Sequence, residues 1–283
     1  MGSQAMAMVV EDSISESGAR LTTLQLRYQR FVHAEFMTHR VFSRNASSSR
    51  AIPVSKMIEQ VRSDLAMPRH WGKNQTGMQS REELQGQDRE NAIERWRIAA
   101  AGAARHAELM ANIGVHKQVV NRILEPFVFI SVIVTATEWS NFFELRDHED
   151  AQPEIRTLTE EMRKAIDESA PVERPRRRLE TCAWHLPYIT QAERDAWPDD
   201  PITLARASAA RCARVSYLTH DGARPQMEQD LALYERLVGA RPLHASPVEH
   251  QAYPMPLPTQ WDRNFLGWRQ HRSLVELEHR IKS

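Results

Sequence analysis

The most densely apolar stretch of the chain, Pro126–Thr135, is built largely from Val, Ile and Phe. β-Branched and aromatic side chains favour a pleated strand, and a continuous apolar run predicts a strand buried on both faces. The apolar run Phe127–Ala136 is too short to cross a bilayer, so no membrane partner is expected. A second strand is predicted over Arg20–Arg27, with Leu24 and Leu26 on one face and Thr23, Gln25 and Arg27 on the other. Tyr28–His39 reads as a helix. Val32 and Phe36 point inward, and Glu35, Thr38 and His39 share a second face.

Further helices are predicted over Pro53–Met67, Ser80–Asn112, His116–Leu124 and from Pro153 to Ser169. Pro53 suits a first helical turn, and Gly114 suits a C-terminal cap. Pro68–Gln79 reads as a loop, as does Leu186–Thr203 with short turns. Ala170–Arg178 is proline-rich and basic and reads as a solvated connector. Gln260–Ile281 is amphipathic and reads as packing or interface.

Between the first strand–helix unit and the helix at Pro53 lies Thr38-His39-Arg40-Val41-Phe42-Ser43-Arg44-Asn45-Ala46-Ser47-Ser48-Ser49-Arg50. Short hydroxyl and amide side chains favour turns and local backbone hydrogen bonds. Arginine forks match phosphate or carboxylate oxygens two at a time, and serine hydroxyls with freed N–H groups complete an anion cradle. One reading is a loop that holds an anionic, oxygen-rich ligand; the other is a solvated polar loop.

Lys+Arg and Asp+Glu both number 37, so no net field draws in a nucleic-acid polymer or a membrane. Two cysteines, Cys182 and Cys212, do not make a disulfide framework and fit a reducing, cytoplasmic setting. No signal-peptide pattern opens the chain, and its first residues, Met1–Met6, read as a tag remnant. Cys182 and His185 have a spacing seen in metal sites, but no second pair follows at zinc-finger distance, so no metal is expected. Among ten glycines there is no Gly-x-Gly-x-x-Gly run, which argues against a Rossmann-type site.

His39-Arg40, seven residues and then Ser48 resembles the Arg-His-Arg, any seven, Ser signature of the flavin-dependent thymidylate synthases, with Thr38 in place of the first Arg. Two further stretches are similar to that family. Asn141-Phe142-Phe143-Glu144-Leu145-Arg146 followed by Ala151-Gln152-Pro153-Glu154-Ile155 resembles its Asn-Phe-Leu-x-Leu-Arg and Ala-Gln-x-Glu-Ile segments. Ala210–Tyr217 and His244-Ala245-Ser246-Pro247-Val248-Glu249-His250 resemble its Ala-Arg-Val-Ser-Tyr and His-x-Thr-Pro-Phe-Glu-His runs. The last two normally precede the signature and here follow it, so the motif order looks circularly permuted.

The resemblance implies one α+β domain over residues 1–283, a mixed sheet flanked by several helices, assembled as a homotetramer. It implies C5 methylation of a uridine monophosphate nucleotide, with FAD as cofactor and NADPH and methylenetetrahydrofolate as co-substrates. By resemblance, Arg146 and Ser48 are catalytic. Glu35, Ser48, Ser49, Arg50, Arg122 and Arg146 contact the nucleotide. Thr38, His39, Arg40, Asn45, Asn141, His244, Ser246 and Glu249 contact the flavin. Asn141 and Arg146 lie about 140° apart around a helix, which suits different ligands. Ser246 to Glu249 also reads as a capping box. Ala46 stands where many members carry Glu, and losing that carboxylate leaves room for a ribose 2′-hydroxyl. The reading therefore covers UMP as well as dUMP, as in ribonucleotide methylases of nucleoside-antibiotic biosynthesis. Two alternatives stay open: a nucleotide-binding family member that has lost its flavin, and a helical nucleic-acid binder using Arg174–Arg178.

Overall fold

In the computed structural model, residues 5–215, 226–239 and 242–281 are described. A five-stranded sheet is formed by β1 (Met6–Ser15), β2 (Arg20–Gln29), β3 (Ser43–Ala46), β4 (Phe129–Ala136) and β5 (Val172–Arg174), in the spatial order β3-β4-β2-β1-β5. Neighbours are antiparallel except β1 and β5, which are parallel, so the sheet is mixed. With the helices around it, this is the expected α+β architecture.

The apolar run that predicted a doubly buried strand becomes β4, with Ser131 alone short of full burial. Strand periodicity sorts its side chains. Ile130, Val132, Val134 and Ala136 join Leu24, Leu26 and Tyr28 in the main apolar core. That core is closed by Ile155, Leu158 and Met162 of the helix Pro153–Asp167 and by Phe142 of the helix Ser140–Arg146. On the opposite face, Ile133 packs on Cys212 and Val215. Thr23 and Thr135, paired across β2 and β4, share a hydroxyl bond of 2.7 Å. Thr23 also bonds His185 at 2.7 Å, and Thr135 bonds His250 at 2.8 Å. A second apolar cluster joins the helices Val54–Ser63 and Gly86–Asn112 to Val120, Leu124 and Val128.

Several expected boundaries move. Tyr28 and Gln29 belong to β2, because each pairs across to β4; only Arg30–Phe36 is helical, first as a 3-10 turn and then as one α turn. Val32 and Phe36 are fully buried, as expected. The long helix starts at Gly86, because Gly72 and Glu83 bridge as a short antiparallel pair ahead of it. It ends as predicted at Gly114, whose φ of +85° lets the Val115 N–H reach back to the Met110 carbonyl at 3.0 Å. The Arg/Ser stretch is not all loop: residues 43–46 pair with β4 and form the sheet edge. The basic connector holds β5, and Arg174 within it is buried against Glu11 at 2.5 Å. The Leu186–Thr203 segment contains the helix Gln191–Ala196 and the first turn of another, Pro201–Ala213. Ser246–Glu249 is a 3-10 turn whose N-cap is Ala245, with no side-chain cap, so the capping box does not form. Ser216 and Tyr217, which end the Ala210–Tyr217 stretch, lie outside the described residues.

Candidate functional site

Arg146 is the last residue of the helix Ser140–Arg146, which points its guanidinium toward the turn that opens the Arg/Ser stretch. Its Nε donates to His39 Nε2 at 3.0 Å and its Nη2 donates to Thr38 Oγ1 at 3.2 Å. Its Nη1 lies 3.6 Å from the Glu35 carboxylate. The Thr38 hydroxyl in turn donates to the Glu35 carbonyl at 2.7 Å, so one hydroxyl accepts from Arg146 and ties the turn. Four of the residues singled out by the motifs therefore meet in one cluster.

His39 is buried between Phe142, edge-on at 4.8 Å, and Phe42. Burial holds its pKa below the usual histidine value, and the charges of Arg146 and Arg44 push the same way. The ring is neutral near pH 7. With Nε2 accepting from Arg146, the hydrogen-bond pattern assigns its proton to Nδ1. Arg44 Nη1 donates to the Met37 and His39 carbonyls at 3.0 and 2.7 Å, closing the turn from inside. Arg146 and Glu35 line a cleft of about 970 Å³ whose other walls include Phe31, Trp96, Arg81 and Asp150.

A second cluster forms on Glu125. One oxygen of this carboxylate accepts from Ser49 Oγ at 2.5 Å, Arg122 Nη1 at 2.9 Å and Arg30 Nη2 at 3.0 Å. Asn121 Nδ2 donates to the Ser49 and Ile52 carbonyls at 2.7 and 2.9 Å, pinning the same loop. Ser48 and Arg50 are exposed beside it, and Arg50 makes no ion pair among the described residues. Arg122 and Arg146 thus sit in different clusters of the single chain and share no partner. The helical turns Arg30–Phe36 join the two, carrying Arg30 at one end and Glu35 near the other.

The C-terminal segment returns to the same stretch. Asn264 Nδ2 donates to the Val41 carbonyl at 2.9 Å, and Gln270 Nε2 donates to Ser43 Oγ at 3.1 Å and to the Glu249 carbonyl at 3.1 Å. The Glu249 carboxylate pairs with Arg272 and is close enough to Arg44 to feel its charge, though burial still raises its pKa. Asn45 Nδ2 reaches the Cys212 carbonyl at 3.5 Å. Arg40, Asn141, His244 and Ser246 are exposed on the chain's surface.

Arg30, Glu125, Arg44 and Arg272 carry contacts in these clusters to which sequence reasoning gave no role. Glu125 was three residues from Arg122, an ordinary helical spacing, and that was the only signal for it. His185 uses both ring nitrogens, on Thr23 and on Ser13 at 2.9 Å, while exposed Cys182 bonds Glu180. Among the described residues no cluster of three or more His, Cys, Asp and Glu is arranged to hold a metal, and no helix is long and apolar enough to cross a membrane.

Residues 19–172 match the sequence family described as thymidylate synthase complementing protein. A search of curated proteins finds no match. Two solved structures similar to this chain are of a UMP/dUMP methylase, PolB, from Streptomyces cacaoi. The one bound with 5-Br dUMP is 16% identical, with a TM-score of 0.49, over 59% of this chain and 91% of that one. The one bound with 5-Br UMP is 17% identical, with a TM-score of 0.49, over 59% and 90%. The matched span runs from the turn before β2 through both arginine clusters to the start of β5, and on it the chain belongs to the thymidylate synthase complementing protein family, the flavin-dependent thymidylate synthases.

Proposed function

We propose that the chain transfers a one-carbon unit from methylenetetrahydrofolate to C5 of a uridine monophosphate nucleotide, with FAD as cofactor and NADPH as reductant. The observation that carries this reading is the fixed guanidinium of Arg146, held by His39, Thr38 and Glu35 at the edge of an open cleft.

A guanidinium against the uracil oxygens stabilises negative charge as it develops on the ring, and its pre-set orientation avoids reorganisation during reaction. Neutral His39 supports that orientation without adding a competing positive charge. Exposed Ser48, Arg50 and Arg122 take the phosphate, Ser49 supports their loop from behind with its hydroxyl on Glu125, and Glu35 borders the nucleotide. Neither cysteine is offered as a nucleophile: Cys212 is fully buried and its thiol is pushed well up by burial, and the Cys182 thiol is raised too. Activation of the ring thus falls to polarisation by Arg146.

The residues for the flavin fit it in kind. Exposed Arg40, Asn141, His244 and Ser246 offer open donors and acceptors of the type that a dioxo ring and a pyrophosphate need. Thr38, His39, Asn45 and Glu249 are already engaged, with Arg146, the Cys212 carbonyl and Arg272. When bound, FAD supplies the relay of carbon and reducing electrons between the co-substrates and the nucleotide. Because those groups face outward, the reading includes a homotetramer whose neighbouring copies cover them. Ala46 ends β3 with its methyl group exposed, so nothing larger blocks a 2′-hydroxyl there, and UMP is included with dUMP.

The test is turnover of purified protein with FAD, NADPH and methylenetetrahydrofolate on dUMP and UMP separately, with product identified by mass. A yellow protein giving the 5-methyl product from at least one nucleotide is expected. Protein that binds nucleotide but refuses FAD and makes no product would establish the non-catalytic reading instead.

A further inference from the structure

One carboxylate oxygen, that of Glu125, accepts from three donors that come from three separate parts of the chain. Arg30 lies on the turn after β2, Ser49 on the loop after β3, and Arg122 on the 3-10 turn before β4. The three donors do not hold Glu125 in equivalent ways. Arg30 is largely buried and also donates to the Ser47 carbonyl at 3.3 Å, so it is tied at both ends. Ser49 is buried. Arg122 uses one nitrogen on Glu125, and its side chain is 53% exposed. Arg30 therefore forms the back of the cluster, and Arg122 presents its remaining N–H groups outward.

Charge points the same way. Two guanidiniums and one carboxylate leave one net positive charge, and exposed Arg50 beside them adds another. A phosphate monoester near pH 7 carries about two negative charges. Without Glu125, three arginines would repel one another, and of the side-chain ties between the Ser47–Ile52 loop and the 3-10 turn only those of Asn121 to the Ser49 and Ile52 carbonyls would remain.

We infer that Glu125 is a positioning residue: it fixes Arg122 and, through buried Ser49, the loop that carries exposed Ser48 and Arg50 in one frame, so that the outward face of Arg122, Ser48 and Arg50 receives the 5′-phosphate of the nucleotide. The inference rests on the proposed function, which places the phosphate at these residues. It assigns to Glu125 a role that acts through its neighbours and touches no reacting atom.

The experiment is calorimetric binding of dUMP and of deoxyuridine, which lacks the phosphate, to the flavin-loaded full chain and to Glu125→Ala and Glu125→Gln. Glutamine keeps an oxygen acceptor in the same place; alanine removes it. Glu125→Ala is expected to weaken dUMP by about tenfold or more, the scale of one charge-assisted hydrogen bond. Deoxyuridine is expected to bind all three proteins alike, and Glu125→Gln, which keeps an acceptor but not the charge, is expected to recover part of the dUMP affinity. The inference is overturned if Glu125→Ala binds dUMP as tightly as the wild type or more tightly. It is also overturned if both ligands weaken together, as a merely misfolded variant would show, or if glutamine rescues nothing. A wild-type protein that binds neither ligand refutes the proposed function itself, and this role with it.

Discussion

Arg146 makes each of its three contacts with a different nitrogen: Nε to His39, Nη2 to Thr38 and Nη1 toward Glu35. That division is possible because a guanidinium is a rigid planar fork, whereas a lysine ammonium is a single point with rotating donors. Arg146→Lys keeps the charge but gives up the simultaneous bonds. Turnover of dUMP is expected to fall by roughly a hundredfold, the loss of about one preorganised donor. Thermal stability should change little, since the side chain is part-exposed. Steady-state kinetics with a parallel melting curve would check this, and wild-type turnover in Arg146→Lys would remove Arg146 from the site. At this scale the sequence was informative where the motif supplied spacing. Glu35, Thr38, His39 and Arg146 were all singled out, and they meet. Arg30 was not, because its partner is 95 positions away and nothing local marks so distant a pairing. The same holds for Asn264 and Gln270 on the Arg/Ser stretch, more than 220 positions apart.

Whole elements were legible where their side chains repeat and illegible where the partner strand decides. β2 and β4 announced themselves by alternation and by apolar density. β3 did not: Ser, Arg, Asn and Ala have weak strand preference, and this edge segment is extended because β4 offers it unpaired backbone. β5 hid inside a basic, proline-rich run for a related reason. Its Arg174, read as solvated, is buried with Arg194 on Glu11 of β1, at 2.5 and 2.8 Å. That three-charge cluster docks β5 and the helix Gln191–Ala196 onto the sheet. Removing its only carboxylate leaves two guanidiniums buried and unpaired by it. Glu11→Ala is expected to lower the unfolding free energy by about 3–5 kcal/mol, measured by urea denaturation. Glu11→Gln, which still accepts hydrogen bonds, should cost less. A loss below about 1 kcal/mol in the alanine variant, within the usual range for exposed ion pairs, would mean the cluster does not hold these elements.

For the molecule as a whole, buried histidines set the response to acid. Burial pulls His33 down to about 4, with Arg30 and Arg44 adding to the shift. Burial also pulls His250 and His271 down to about 3, and lowers His39 and His185. In the unfolded chain each returns to about 6.5. Below that value the unfolded state binds protons that the native state refuses, so stability present above pH 6.5 is lost as pH falls toward the folded values. For the fully buried His250 and His271 the loss by pH 5 is roughly 2 kcal/mol each, given about 1.4 kcal/mol per pH unit per proton, and half-buried His33 adds less because solvent screens it. Glu11 and Glu249 work in the opposite direction, because burial raises their pKa and the native state takes their protons more readily. Two raised carboxylates titrating above 4.5 offset part of five lowered histidines, and the histidines prevail. Urea unfolding at pH 8, 7, 6 and 5 is expected to be flat at the upper end and to drop steeply below pH 6.5. His271→Gln should lessen the slope by up to one proton, because glutamine does not titrate. Its effect separates histidine linkage from general acid sensitivity: an unchanged slope in that variant, or a wild-type profile level down to pH 5, would mean that these rings are protonated within the folded protein. Activity should follow a related limit, since a protonated His39 has no lone pair at Nε2 to accept from Arg146.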